Sequence, residues 1–164
     1  MVVASRLVST VNTGTLAGGE VGLYKIVDPQ TSSPYSFSSF TSGALVTVPE
    51  EIKPFVDTGG FYLSLMRGAD GTYSYGFITK LSSDLAVGQV LGRWEANMLA
   101  SLQNLFGLDV SKAASVDFLD NSYQGIAIRY RNFPDPLKTI DYAIVTTANG
   151  ERYLVVTNSR AHIY

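Results

Sequence analysis

From Gly60 onward the alternation of apolar and polar positions marks successive elements. Residues 61–66 and 72–79 have the two-residue alternation and the β-branched and aromatic content of strands, and Ala69-Asp70-Gly71 between them is a hairpin turn. The period then changes. Val87, Leu91, Trp94, Met98, Leu102 and Leu105 recur every three or four residues, which predicts one long helix over 81–106 with a single apolar face. Ser82 or Ser83 caps it, Asp84 falls in its first turn, and Gly107 stops it. Beyond it come strands at 115–119, 123–131, 138–147 and 151–157. Asn149-Gly150 is a strong two-residue hairpin signal, and such a loop places Ile144 opposite Val155 and Val145 opposite Leu154.

Before Gly60 the pattern is fainter. Val3, Leu7 and Val11 have helical spacing, while the β-branched content also allows a strand. Residues 20–27 (EVGLYKIV) form a predicted strand closed by Asp28-Pro29. Residues 31–43 are Ser-rich with Phe37 and Phe40 interspersed, the pattern of a loop or an edge strand. Pro49 followed by Glu50 and Glu51 starts a short helix that Pro54 ends. Two strands, a long helix, then three or four strands joined by short turns predict an α+β fold. Its sheet is mainly antiparallel, a meander in the C-terminal half, with the helix packed across one face.

Composition narrows the chemistry. The chain has 164 residues, 46% of them hydrophobic, enough for one domain over 1–164 with its own core. Only 16% are charged, with 12 basic against 14 acidic residues, so there is no electrostatic footprint for nucleic acid. The absence of Cys excludes thiol catalysis, Fe–S clusters, thiolate zinc sites and disulfides. The one histidine, His162, lies close to the C-terminus, which excludes a His-rich metal site and argues against a general-base histidine deep in the fold. No cofactor is expected. No run approaches the roughly 18–20 apolar residues that span a bilayer. Asn158-Ser159 is a helix start that Tyr164 cuts short, and Met1 precedes what looks like mid-domain sequence. The expectation is a domain excised from a longer chain, with membrane attachment only through a missing anchor.

Several constellations invite a functional reading. Gly88, Gly92, Ala96 and Ala100 form a small-residue stripe on the long helix. Arg93, Glu95 and Gln103 forbid a membrane helix there, so the stripe is expected to bring helix and sheet close together. Asp117, Asp120 and Asn121 are turn formers between strands, or a carboxylate pair for acid–base work. Arg129 and Arg131 share one strand face with Tyr130 on the other, and pair with Asp141 or Asp117. Ser159 and His162 are adjacent on a helical turn, but no G-x-S-x-G elbow accompanies them. Tyr73 and Tyr75 share a strand face and make a possible ligand platform, the alternative being a sheet face under the helix. Residues 132–137 join two strands, stiffened by Pro134 and Pro136. Phe133, flanked by Arg131 and Asp135, is there either an exposed anchor for a partner or a staple folded over the sheet end.

The segments YGFI at 75–78, GQVLGRWEANML at 88–99, IAIRYRNFPDP at 126–136, IDYAIV at 140–145 and YLVVTNSR at 153–160 resemble an uncharacterised domain of anchored envelope proteins from small-genome bacteria. The likeness covers residues 60–164 and implies an extracytoplasmic location, with no activity and no catalytic residue attached to it. The leading expectation is therefore a non-enzymatic, extracytoplasmic binding or assembly domain of a bacterial surface protein, with a protein or cell-surface partner. The alternatives are a hydrolytic or carbohydrate-active enzyme using Asp117 and Asp120, and a phage or virion structural component.

Overall fold

The computed structural model describes residues 16–28, 30–82, 87–135 and 138–164, with backbone alone at 57 and 58. Its strands are β1 (Val21–Tyr24), β2 (Val56–Arg67), β3 (Tyr73–Leu81), β4 (Leu119–Tyr123), β5 (Ile126–Asn132), β6 (Thr139–Thr146) and β7 (Arg152–Thr157). They form one antiparallel sheet in the order β1-β2-β3-β7-β6-β5-β4. Two meanders thus meet where β3 pairs with β7. Helices α1 (Phe37–Gly43) and α2 (Val87–Phe106) share a hydrophobic core with one face of the sheet. The expected α+β architecture is the one found.

The core explains which residues face which way. Phe61, Phe77, Leu81, Ile140, Tyr142, Leu154 and Val156 alternate onto the helix-covered face. Against them α2 buries Val87, Val90, Leu91, Trp94, Met98, Leu102 and Phe106. Leu105 is partly buried at the margin. The hairpin over Ala69-Asp70-Gly71 is as expected, with Gly71 at φ +82° in its left-handed position.

Other boundaries differ for identifiable reasons. The Ser-rich stretch contains α1, where Ser36 Oγ accepts from the Ser39 N–H at 3.1 Å and caps the helix. Phe37 and Phe40, three apart on that helix, bury their rings beside Phe61 and Phe77. Leu81 ends β3 instead of opening the helix, because its side chain continues the strand alternation into the core. Ser82 is exposed outside α2, while the expected cap at Ser83 and first-turn Asp84 lie outside the described residues, as do Val3, Leu7, Val11 and Pro29. The strand expected over 20–27 is confined to β1, and Val27 makes an isolated bridge to Pro34. Pro49 precedes a 3-10 helix, Glu50–Phe55, with Pro54 inside it.

In the second half, Asp120 and Asn121 lie within β4, and the turn falls at Gln124-Gly125. Both have positive φ, 49° and 82°, the requirement of a two-residue type I′ turn. The β6–β7 register is also shifted by one residue, pairing Ile144 with Leu154 and Val145 with Tyr153. Ala148 joins Asn149-Gly150 in a three-residue loop, closed by the Thr147 N–H donating to the Glu151 carbonyl at 2.8 Å. The core selects this register. A two-residue loop would have turned Leu154 and Val156 away from Ile144 and Tyr142.

The opposite face is covered at its middle by a single turn, α3 (Arg160–Ile163), packed against β6, β7 and β3. His162 is 7% exposed there and Ser159 6%, so the C-terminal segment is docked on the sheet.

Candidate functional site

The apolar face of α2 seats the helix on the sheet, and this leaves the flank carrying Gly88 and Gly92 standing clear of it. Between that flank and strands β5 and β6 opens a cleft of about 320 Å³. Gly88, Leu91 and Gly92 make one wall, and Ala127, Tyr142 and Ile144 lie across from them. One polar cluster completes the lining. Arg129 stands opposite Tyr142 on the helix-covered face, and Glu95 reaches down from α2 to both.

The cluster is tightly bonded. Arg129 donates from Nε to Glu95 Oε1 and from NH2 to Oε2, each at 2.7 Å, in a fork-to-fork pair. Its NH1 donates to Asp120 Oδ1, also at 2.7 Å. Tyr142 donates its hydroxyl to Glu95 Oε1 at 2.5 Å. The hydrogen bonds to Glu95 raise the Arg129 pKa above its ordinary value against the effect of burial. Burial, then the bond to Glu95, raises that of Tyr142. Both oxygens of Glu95 are engaged and no second carboxylate lines the cleft among the described residues. The cleft therefore presents fixed shape and a charge pair already satisfied within the chain.

The glycine stripe is not a close contact with the sheet. A Cβ built on Gly88 or Gly92 meets nothing within 4 Å, and Gly88, Gly92, Ala96 and Ala100 are all exposed. Close approaches occur elsewhere, among them Gly60 against the Lys80 side chain and Gly76 against the Val156 carbonyl.

A second hollow, of about 440 Å³, opens at the end of β5. Asn132, Phe133 and Pro134 line it together with Ala114, Thr139 and Arg160. Phe133 is only 7% exposed and belongs to the hydrophobic core, so it is not an exposed anchor. Its expected staple partner Leu137, with Pro136, lies outside the described residues. Arg131 donates from Nε to the Ser115 carbonyl at 2.9 Å, and Asp135 stands 4.0 Å from Lys138. Tyr73 and Tyr75 do share a face of β3, but Tyr75 packs against the core, and β7 and β6 separate them from β5.

The remaining candidates are not brought together as expected. Asp117 is exposed ahead of β4, and the Asp120 carboxylate is bound to Arg129. Neither arginine of β5 bonds Asp141 or Asp117. Asp141 lies on the opposite face, 3.9 Å from Arg160 Nε. His162 shares a turn with Ser159, donating its N–H to the Ser159 carbonyl at 3.1 Å, but its buried ring has Nδ1 3.2 Å from Ser74 Oγ, and burial lowers its pKa to about 4. Glu95, Tyr142 and Arg160 carry the two sites and escaped the sequence reading. The available signal was an acidic residue at the border of an apolar helix face, with Arg129 on the strand face turned toward it.

Among the described residues no group of His, Asp and Glu is placed to hold a metal ion, and no helix is long and apolar enough to cross a membrane. Comparison with protein families, with curated proteins and with solved structures gives no match to this chain.

Proposed function

We propose that the chain is a non-enzymatic binding or assembly domain of a bacterial surface protein, working outside the cytoplasm, and that it takes a segment of its partner into the cleft beside α2. The pair of glycines in the cleft wall carries the binding reading. Gly92, in the helix interior, costs about 1 kcal/mol relative to Ala. Nothing within the described chain approaches closely enough to offset that cost. A partner lying against bare helix backbone does offset it. Ala96 and Ala100 extend the same exposed strip, and the Glu95–Arg129 pair supplies a rigid polar edge. The extracytoplasmic part rests on the resemblance of residues 60–164 to anchored envelope domains and on the sparse surface charge.

The test is a photo-crosslinking side chain placed at Ala96 in cells that make the protein. A discrete adduct is expected in the envelope fraction, and Gly92→Leu abolishes it while leaving the unfolding midpoint unchanged or raised. No adduct, or one that survives Gly92→Leu, overturns the cleft as the contact surface. An adduct confined to the cytoplasmic fraction overturns the location.

A further inference from the structure

Arg160, the first residue of α3, is fixed on several sides without a hydrogen-bonded anion. Its guanidinium lies over the Tyr130 ring, 4.2 Å from the centroid, and NH2 donates to Asn132 Oδ1 at 3.0 Å. Nε is buried and makes no hydrogen bond. The nearest carboxylate oxygen, Asp141 Oδ1, stands 3.9 Å from it and is itself without a hydrogen-bond partner, while Oδ2 accepts the Thr139 hydroxyl. The guanidinium is therefore oriented in advance, with a charge partner behind it and an open hollow in front. Among the described residues lining that hollow, Arg160 is the only charged one. Phe133, Pro134 and Ala114 give it an apolar wall, and Asn132 adds an amide beside the cation.

We infer that this hollow binds a small monocarboxylic acid, its carboxylate on Arg160 and its compact apolar body against Phe133, Pro134 and Ala114. A planar guanidinium held by stacking matches a carboxylate, which accepts two parallel N–H donors. A dianion such as phosphate is disfavoured, because one cation already facing Asp141 cannot balance a second negative charge. A hollow of about 440 Å³ is within the usual range for small-molecule sites and takes an acid the size of 3-phenylpropionate. The site is on the other side of β5 and β6 from the α2 cleft and does not depend on the role proposed for it.

The experiment is an NMR titration of the full chain with acetate, isobutyrate and 3-phenylpropionate, alongside 3-phenylpropanol and inorganic phosphate. Saturable shifts are expected at Asn132, Thr139 and the Arg160 side chain, with the affinity rising from acetate to 3-phenylpropionate. The alcohol should bind at least about tenfold more weakly than the acid, the loss expected when a charged fork loses its anion. Arg160→Gln should show a similar loss. Ala114→Phe fills the hollow from an exposed position outside α3, and should also abolish binding. Gly92→Leu should leave it unchanged. No saturable shift with any acid overturns the assignment. So does an alcohol or phosphate that binds as well as the acid, or full affinity in a folded Ala114→Phe protein.

Discussion

Asp141 and His162 lie on the sheet face covered by α3, and burial displaces them in opposite directions. Desolvation raises the Asp141 carboxyl from 3.8 to about 6, opposed by Thr139 and Arg160. Desolvation lowers the His162 imidazole from 6.5 to about 4. An acid with a raised folded pKa stabilises fully below its unfolded value and loses that contribution as pH rises through about 6. A base with a depressed folded pKa stabilises above 6.5 and loses its contribution as pH falls through about 4. Between pH 4 and 6 the folded chain keeps its proton on the carboxyl and the unfolded chain keeps it on the imidazole, so the two slopes nearly cancel. Single substitutions should separate them. Asp141→Asn should gain on the parent by about 3 kcal/mol as pH rises from 4 to 7, and His162→Gln should gain about as much as pH falls from 7 to 4. Denaturant midpoints at four pH values would show this; slopes of the same sign in both variants would contradict it.

At the scale of single elements, the glycines sort into two kinds. Gly88→Ala and Gly92→Ala in α2 should each raise stability by up to about 1 kcal/mol, since the new methyl meets nothing and helix propensity improves. Gly76→Ala in β3 should cost about 1–3 kcal/mol or prevent folding, because its methyl would press on the Val156 carbonyl. Thermal melts of the three variants decide this, and a destabilised Gly92→Ala would restore the close helix–sheet contact. That stripe also shows what a sequence can and cannot convey. The apolar face of α2 was legible because six residues repeat at helical spacing, and spacing is a property of the chain alone. Whether the small residues beside that face touch the sheet depends on how far the helix leans, which its own period does not encode. The same holds for α1, where abundant serines hid one cap, Ser36, and two core rings. It holds too for the β6–β7 loop, where the core overrode the preference of Asn-Gly for a two-residue turn. Glu95 and Arg129 meet across 34 positions of sequence, and neither residue type announces such a partner.

For the whole molecule, α3 acts as a cover on the sheet face away from the core. Deleting residues 160–164 would expose Ser74, Thr139 and Asp141, all buried beneath or beside it. The truncated chain should lose roughly 2 kcal/mol or more of stability and the amide protection of β7 near Thr157. A midpoint equal to that of the full chain would show α3 to be dispensable. The sheet edges are protected differently. At one end β4 carries Asp120, Asn121 and Ser122, polar residues that discourage further strand pairing.

The place of β7 has a consequence for how the chain is made. Of the seven strands it emerges last from the ribosome, yet it lies at the centre of the sheet, between β3 and β6. Until then the first meander keeps one open edge along β3, and the second keeps one along β6. Neither half can finish its core early, because Leu154 and Val156 belong to both. Folding of the nascent chain is thus deferred until β7 has emerged, and the unpaired edge of β3 is the point at which a product stalled before β7 would associate with its neighbours.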